Sequence, residues 1–216
     1  MRDGWREETA RVAASFDRIA DLYRAKFTDE LDRKPFDRDL LDRIAGRLRY
    51  GLPALEVGAG PACVAGYLAA GGTSVFASDA SLGQLREARV IDADRPLVAA
   101  DLARLPVRPR SLGGIVAFYC LIYGPPDHLD DVFADWHRAL VPGGLVLIAV
   151  HTGDGTIRSS EWEGRTVDIT VVLRDPDDLV TRLERTGFSI GQRVVRTPYE
   201  DEFPTERCYV VAEAKP

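Results

Sequence analysis

Glu56, Gly58 and Gly60 stand together in Leu55-Glu56-Val57-Gly58-Ala59-Gly60, where a short apolar run meets two glycines one residue apart. Glycines so spaced strip side chains from a turn and let a ligand approach the backbone. A helix starting just beyond offers free N–H groups and the positive end of its dipole. Asp79, 19 residues after Gly60, ends a second apolar run, and Asp101 ends a third. A carboxylate in the place of Asp79 can accept from both hydroxyls of a ribose. One in the place of Asp101 can accept from an exocyclic amine such as adenine N6. Glu56 admits two roles, contact with a ligand and partnership with the helix dipole. His151 closes a fifth run, where an imidazole can take a proton near neutral pH or serve as a hydrogen-bonded structural group.

These side chains share one crevice only if the elements bearing them end on one edge. Short apolar runs at 54–57, 74–78, 96–100, 113–119 and 145–150 read as buried strands, and helical stretches are predicted at 64–70, 82–91 and 129–140. Such alternation is the pattern of a parallel sheet covered on both faces, an α/β fold. Residues 5–50 read as helices: Val12, Phe16, Ile19, Ala20 and Tyr23 share one face, and Phe36, Leu40, Leu41, Ile44 and Leu48 share another after Pro35. After His151, residues 152–162 are polar and glycine-containing. Val167, Ile169, Val171 and Leu173 then alternate like a half-exposed strand whose edge could pair with a second copy. Asp175-Pro176 opens a helix that Gly187 ends, and runs at 188–195 and 207–212 are close enough to pair antiparallel. The expected organisation is one domain: a helical cap (1–50), a core (51–151), a lid or substrate insertion (152–174) and a closing helix with its hairpin (175–216).

With 216 residues, 45% hydrophobic and 29% charged, the chain suits a single globular domain. Its 34 acidic against 28 basic residues give a net charge of -6, which disfavours nucleic acid as a partner. Cys63, Cys120 and Cys208 form no C-x-x-C pair, so neither a disulfide framework nor a metal site is expected and the cytoplasm is the expected location. Residues 1–8 lack the apolar core of a signal peptide, and no apolar run approaches the roughly 20 residues of a membrane span.

A dinucleotide fingerprint would place a third glycine at position 63, which holds Cys63. That departure and the closing hairpin disfavour an NAD(P)-dependent oxidoreductase. The glycine segment, Asp79, Ala100-Asp101-Leu102 and Arg138-Ala139-Leu140-Val141-Pro142-Gly143-Gly144-Leu145 resemble, in order and spacing, successive motifs of class I S-adenosylmethionine (SAM)-dependent methyltransferases. Phe16-Asp17-x-x-Ala20-x-x-Tyr23 is similar to the N-terminal helix motif of the small-molecule branch, and the resemblance runs from about Ser15 to Ala212.

The resemblance implies a doubly wound Rossmann-like sheet of seven strands, the last antiparallel, with helices on both faces. It implies that Glu56, Gly58, Ala59 and Gly60 hold the methionine end of SAM. Asp79, with Ala80 beside it, would hold the ribose, and Asp101 with Leu102 the adenine. Phe118 and Tyr119 would flank the sulfonium, and Tyr23 would close over the cofactor. Phe16 stands where the family often has Tyr, so a hydroxyl is missing there. Phe16, Tyr123, Trp162 and Arg207 are the candidate acceptor pocket, Tyr119 a candidate positioning residue and His151 the candidate general base. The implied reaction moves a methyl group to an O, N or C nucleophile of a small molecule, such as a natural-product intermediate, releasing S-adenosylhomocysteine (SAH). A SAM-binding role without methyl transfer, in cyclisation or regulation, is the alternative. A small-molecule acceptor is the expected partner, with the chain a monomer or homodimer and no nucleic acid or membrane involved.

Overall fold

The five apolar runs do form a parallel sheet. In the computed structural model, which describes residues 2–48 and 51–216, they are β1 (Ala54–Val57), β2 (Val75–Asp79), β3 (Leu97–Ala99), β4 (Leu112–Phe118) and β5 (Leu140–Thr152). Met1, and Tyr50 at the end of the expected helical stretch, lie outside the described residues. Between the strands run α3 (Cys63–Ala70), α4 (Leu82–Ile91) and α5 (Leu129–Ala139), preceded by α1 (Arg2–Phe27) and α2 (Pro35–Ala45). β5 begins five residues before its expected start, because 140–144 continues the pairing with β4 through a register shift rather than turning freely.

The chain closes with α6 (Pro176–Arg185), β8 (Phe188–Arg196) and β9 (Glu206–Ala214), and the sheet order is β3-β2-β1-β4-β5-β9-β8. β9 lies antiparallel between β5 and β8, which gives the seven-stranded sheet its one reversed strand. Asp175 caps α6 by accepting from the Asp177 and Asp178 N–H groups, with Pro176 at the first helical position.

Two-sided burial explains why the strands read as unbroken apolar runs. Along β5, Val146, Ile148 and Val150 pack with Phe133 and Trp136 of α5 and with Leu179 and Leu183 of α6. Leu145, Leu147 and Ala149 point the other way, to Leu40 and Leu41 of α2 and Val64 and Leu68 of α3. Strand residues of both parities are therefore removed from water.

The expected irregular segment after His151 is instead a strand. β6 (Thr156–Trp162) pairs antiparallel with β7 (Arg165–Val172) in a separate two-stranded sheet. Its sequence, Thr-Ile-Arg-Ser-Ser-Glu-Trp, has too few apolar residues to signal a strand, and docking on α1 supplies what the pattern lacks. The expected free edge of β7 is thus taken on one side by β6. Val167 and Ile169 pack on Ile19 of α1, Ser15 Oγ accepts from Asp168 N–H at 2.9 Å, and Arg165 pairs with Asp21 at 2.5 Å.

Candidate active site

β1, β2 and β4 end on the same edge, and the loop after β3 ends there too. One cavity at this edge is lined by Gly58, Gly60, Asp79, Ala80, Asp101, Leu102, Phe118 and Tyr119, with Trp5, Phe16 and Tyr23 of α1 above them and Tyr123 at the side. A second depression, adjoining it through Tyr23, Gly58, Gly60, Phe118 and Tyr119, adds Glu56, Ala59, Lys34 and Asp37. Sheet and helix meet here because Asp17 Oδ1 accepts from Ser81 Oγ and Gly83 N–H, both at 2.7 Å, tying the middle of α1 to the start of α4.

The turn after β1 depends on backbone conformation. Gly58 and Gly60 have φ of 58° and 54°, in the left-handed region that L side chains rarely enter. A Cβ on Gly58 would sit 2.3 Å from Cys120 Cβ, whereas one on Gly60 would meet only Gln84 and Tyr23 atoms at 3.6 Å. Gly58 is thus held closed against the loop after β4, and Gly60 is the open side of the turn.

Each strand-end acid has a different occupation. Asp79 Oδ2 accepts from Gly60 N–H and Oδ1 from Ser81 N–H, both at 2.8 Å, so the carboxylate fastens the glycine turn to the start of α4. Its burial raises its pKa. Asp101 accepts from the Trp5 indole at 2.8 and 3.0 Å, from Thr9 Oγ1 at 3.3 Å and from Ala103 N–H at 2.8 Å. An adenine amine at Asp101 would therefore share it with, or displace, the first turns of α1. Glu56 turns beneath the crevice and accepts from Ala65 N–H at 2.7 Å in the first turn of α3, the helix-dipole role.

Burial pushes the Glu56 carboxyl up to about 8, against the opposing effect of the Ala65 N–H. An acid whose folded pKa exceeds its ordinary 4.5 binds more protons folded than unfolded across that interval. Its contribution to stability is complete below the lower value and is lost as pH rises through the upper. Glu56→Gln, which keeps an oxygen for Ala65, should flatten the melting temperature between about pH 5 and 8. A melting profile as steep as that of the wild type would contradict this placement of the proton.

Three of the candidate site residues, two from the acceptor pocket and the candidate base, lie elsewhere. Trp162 packs behind Tyr23 and Phe27, at ring distances of 5.9 and 6.4 Å, outside the cavity lining. Arg207 is buried away from the cavity, with its guanidinium on Glu202 at 3.1 Å and on the Phe203 carbonyl at 2.9 Å. His151 stands behind Tyr119, ring to ring at 5.0 Å, with Nδ1 on Thr205 Oγ1 at 2.7 Å. Burial and the nearby Arg207 and Lys34 push its pKa down to about 4, so it is neutral at pH 7, but it does not line the cavity.

Tyr119 does line it, in a left-handed conformation (φ 54°) at the end of β4. Its hydroxyl lies 2.9 Å from that of Tyr209, which donates to Asp37 Oδ1 at 3.0 Å and accepts from Arg196 at 2.8 Å. Tyr209 has one hydrogen, committed to Asp37, so the bond between the two phenols is donated by Tyr119. The Tyr119 oxygen is left with a lone pair and no hydrogen to offer the cavity. Sequence reasoning missed Asp37 and Trp5 as members of the site, because their partners lie 172 and 96 residues away.

A glycine turn after the first strand, with an acid ending the second, is an arrangement in which a doubly wound sheet can hold a nucleoside. Residues 54–144 match the family described as a methyltransferase domain. Over 137 residues the chain is 31% identical to a malonyl-[acyl-carrier protein] O-methyltransferase of Pseudescherichia vulneris. That match covers 62% of this chain and 51% of the relative, so the chain spans about half the relative's length. The solved DhpI–SAH complex has a similar fold, with a TM-score of 0.73 at 23% identity, covering 96% of this chain and 97% of that one. So does Burkholderia thailandensis 1,6-didemethyltoxoflavin-N1-methyltransferase, solved with 1,6-didemethyltoxoflavin and SAH, with a TM-score of 0.73 at 20% identity over 98% and 91% of the two chains. Residues 54–144 thus match a methyltransferase domain, and the fold is one shared with solved SAM-dependent methyltransferases. Among the described residues, no helix is long and apolar enough to cross a membrane.

Proposed function

We propose that the protein catalyses transfer of the methyl group of SAM to a nucleophile of a small or carrier-bound molecule, releasing SAH. The observation that carries this reading is the convergence of the glycine turn, Asp79 and Asp101 on one cavity under α1. The residues present fit the cofactor: a Gly60 whose missing Cβ would meet nothing nearer than 3.6 Å, a carboxylate at Asp79 with acceptor capacity left, and aromatic walls at Phe118 and Tyr119. When bound, SAM supplies an electrophilic methyl on a sulfonium leaving group. The chain's own part is then to align the acceptor, exclude water and, where the nucleophile bears a hydrogen, receive the proton.

Tyr119 suits that last task better than His151, because it lines the cavity and its oxygen keeps an accepting lone pair, whereas His151 does not line it. A proton taken there would pass the Tyr119 hydrogen to Tyr209 and the Tyr209 hydrogen to Asp37, whose pKa burial raises. With an acceptor in hand, Tyr119→Phe should lower kcat about 100-fold, the low end of a general-base contribution, while SAH affinity holds within about twofold. His151→Phe should change kcat less; the opposite order would return the base role to His151.

Turnover of SAM to SAH over a panel of acceptors tests the function. The panel should contain a carrier-bound carboxylate, a heteroaromatic N–H and a phenol, because only the last two must lose a proton. Acceptor-dependent SAH release supports transfer. SAH affinity without release by any of the three points to the alternative, a SAM site used without methyl transfer.

A further inference from the structure

Gln84 is 1% exposed, lines the cavity beside Asp79, and has both its carboxamide oxygen and nitrogen without a hydrogen-bond partner. Among the described residues it is the one side chain whose every polar atom is buried and unpartnered. Buried polar groups are nearly always satisfied, so an amide left empty toward a cavity asks for a ligand.

The local sequence explains why the amide is free. Ser81-Leu82-Gly83-Gln84 has the spacing of a capping box, in which the third helical residue reaches back to the N-cap N–H. Half of the box forms: Ser81 Oγ accepts from Gln84 N–H at 3.1 Å. The other half does not, because Asp79 Oδ1 already takes Ser81 N–H at 2.8 Å. Displaced from the cap, the side chain lies against the glycine turn, with Oε1 3.6 Å from where a Gly60 Cβ would sit.

Asp79 and Gln84 thus flank one turn with complementary chemistry. A carboxylate only accepts, whereas a carboxamide both donates and accepts. A vicinal diol, each hydroxyl of which is donor and acceptor, uses both. We infer that Gln84 is a cofactor-contact residue whose carboxamide hydrogen-bonds the ribose hydroxyls alongside Asp79. The inference rests on the SAM-binding reading above and names a contact that reading did not include.

Gln84→Met removes both polar atoms at nearly constant length and tests this. Calorimetry with SAH should give a dissociation constant about tenfold above that of the wild type, as expected for one lost hydrogen-bonded pair. The ligand-free melting temperature should hold or rise by about 3 °C, because a desolvated amide is gone. Adenosine and 2′,3′-dideoxyadenosine supply a second readout: the wild type should prefer the diol, and Gln84→Met should narrow that preference. SAH affinity within twofold of wild type overturns the inference. So does lost affinity accompanied by a melting temperature several degrees lower, which would assign Gln84 to packing or capping. Absence of SAH binding by the wild type would instead overturn the cofactor reading itself, and this inference with it.

Discussion

Gly58→Ala should lower the melting temperature by on the order of 10 °C. Two costs add at this position. The φ of 58° places any L side chain in the left-handed region, a cost of about 1–3 kcal/mol where the surroundings fix it. The new Cβ would also lie 2.3 Å from Cys120 Cβ, a distance that side-chain rotation cannot relieve because both atoms sit on backbone. Overpacking of this kind costs about another 1–3 kcal/mol. Together they come to about 4 kcal/mol, and a domain of this length loses about 2–4 °C for each. The strain falls on the loop bearing Tyr119, Cys120 and Tyr123, so SAH affinity should fall with stability. A variant melting within 2 °C of wild type would mean that the turn is not closed against Cys120 as described.

Asp79→Ala should raise the dissociation constant of SAH about 100-fold. The carboxylate is expected to accept from two ribose hydroxyls, each bond to a charged group contributing about 1.5–3 kcal/mol, and about 3 kcal/mol in total is two decades of affinity. A second effect separates this variant from a simple ligand contact. Gly60 N–H and Ser81 N–H lose their acceptor, so the empty protein should melt lower as well. Asp79→Asn keeps one accepting oxygen and should fall between wild type and Asp79→Ala on both measures. Calorimetry and thermal melts on the three proteins check the order. Unchanged SAH affinity in a folded Asp79→Ala variant would remove the ribose from this edge of the sheet.

Much of the core was legible because its signals are local. β1 and α4 fall at the expected residues, since a continuous apolar run between turn residues and a Ser81-capped helix are properties of a few neighbours. The acids at 56, 79 and 101 were legible for the same reason, each standing at the end of such a run. What they do was only half legible. Glu56 faces α3 because strand alternation puts it opposite Leu55 and Val57, which pack toward α5. Asp101 is engaged by Trp5, a residue read as the start of the helical stretch with no part in the site.

The misses share one cause. β6 is a strand because β7 and α1 lie beside it, and its own polar sequence says little. Arg207 is buried because Glu202 accompanies it, and no local pattern marks a charge as paired. The phenol pair of Tyr119 and Tyr209 joins β4 to β9, and Asp37 reaches it from α2. Only the folded sheet, with β9 inserted beside β5, makes these residues neighbours. Gln84 was invisible for a subtler reason: its sequence context is a capping box, and Asp79 preempts the bond that context promises.

Calorimetric titration of the wild-type chain with SAH, with NAD titrated in parallel, tests the central claim most directly. Saturable binding of one SAH per chain is expected, with no saturable heat from NAD. Saturable NAD binding with no heat from SAH would contradict it.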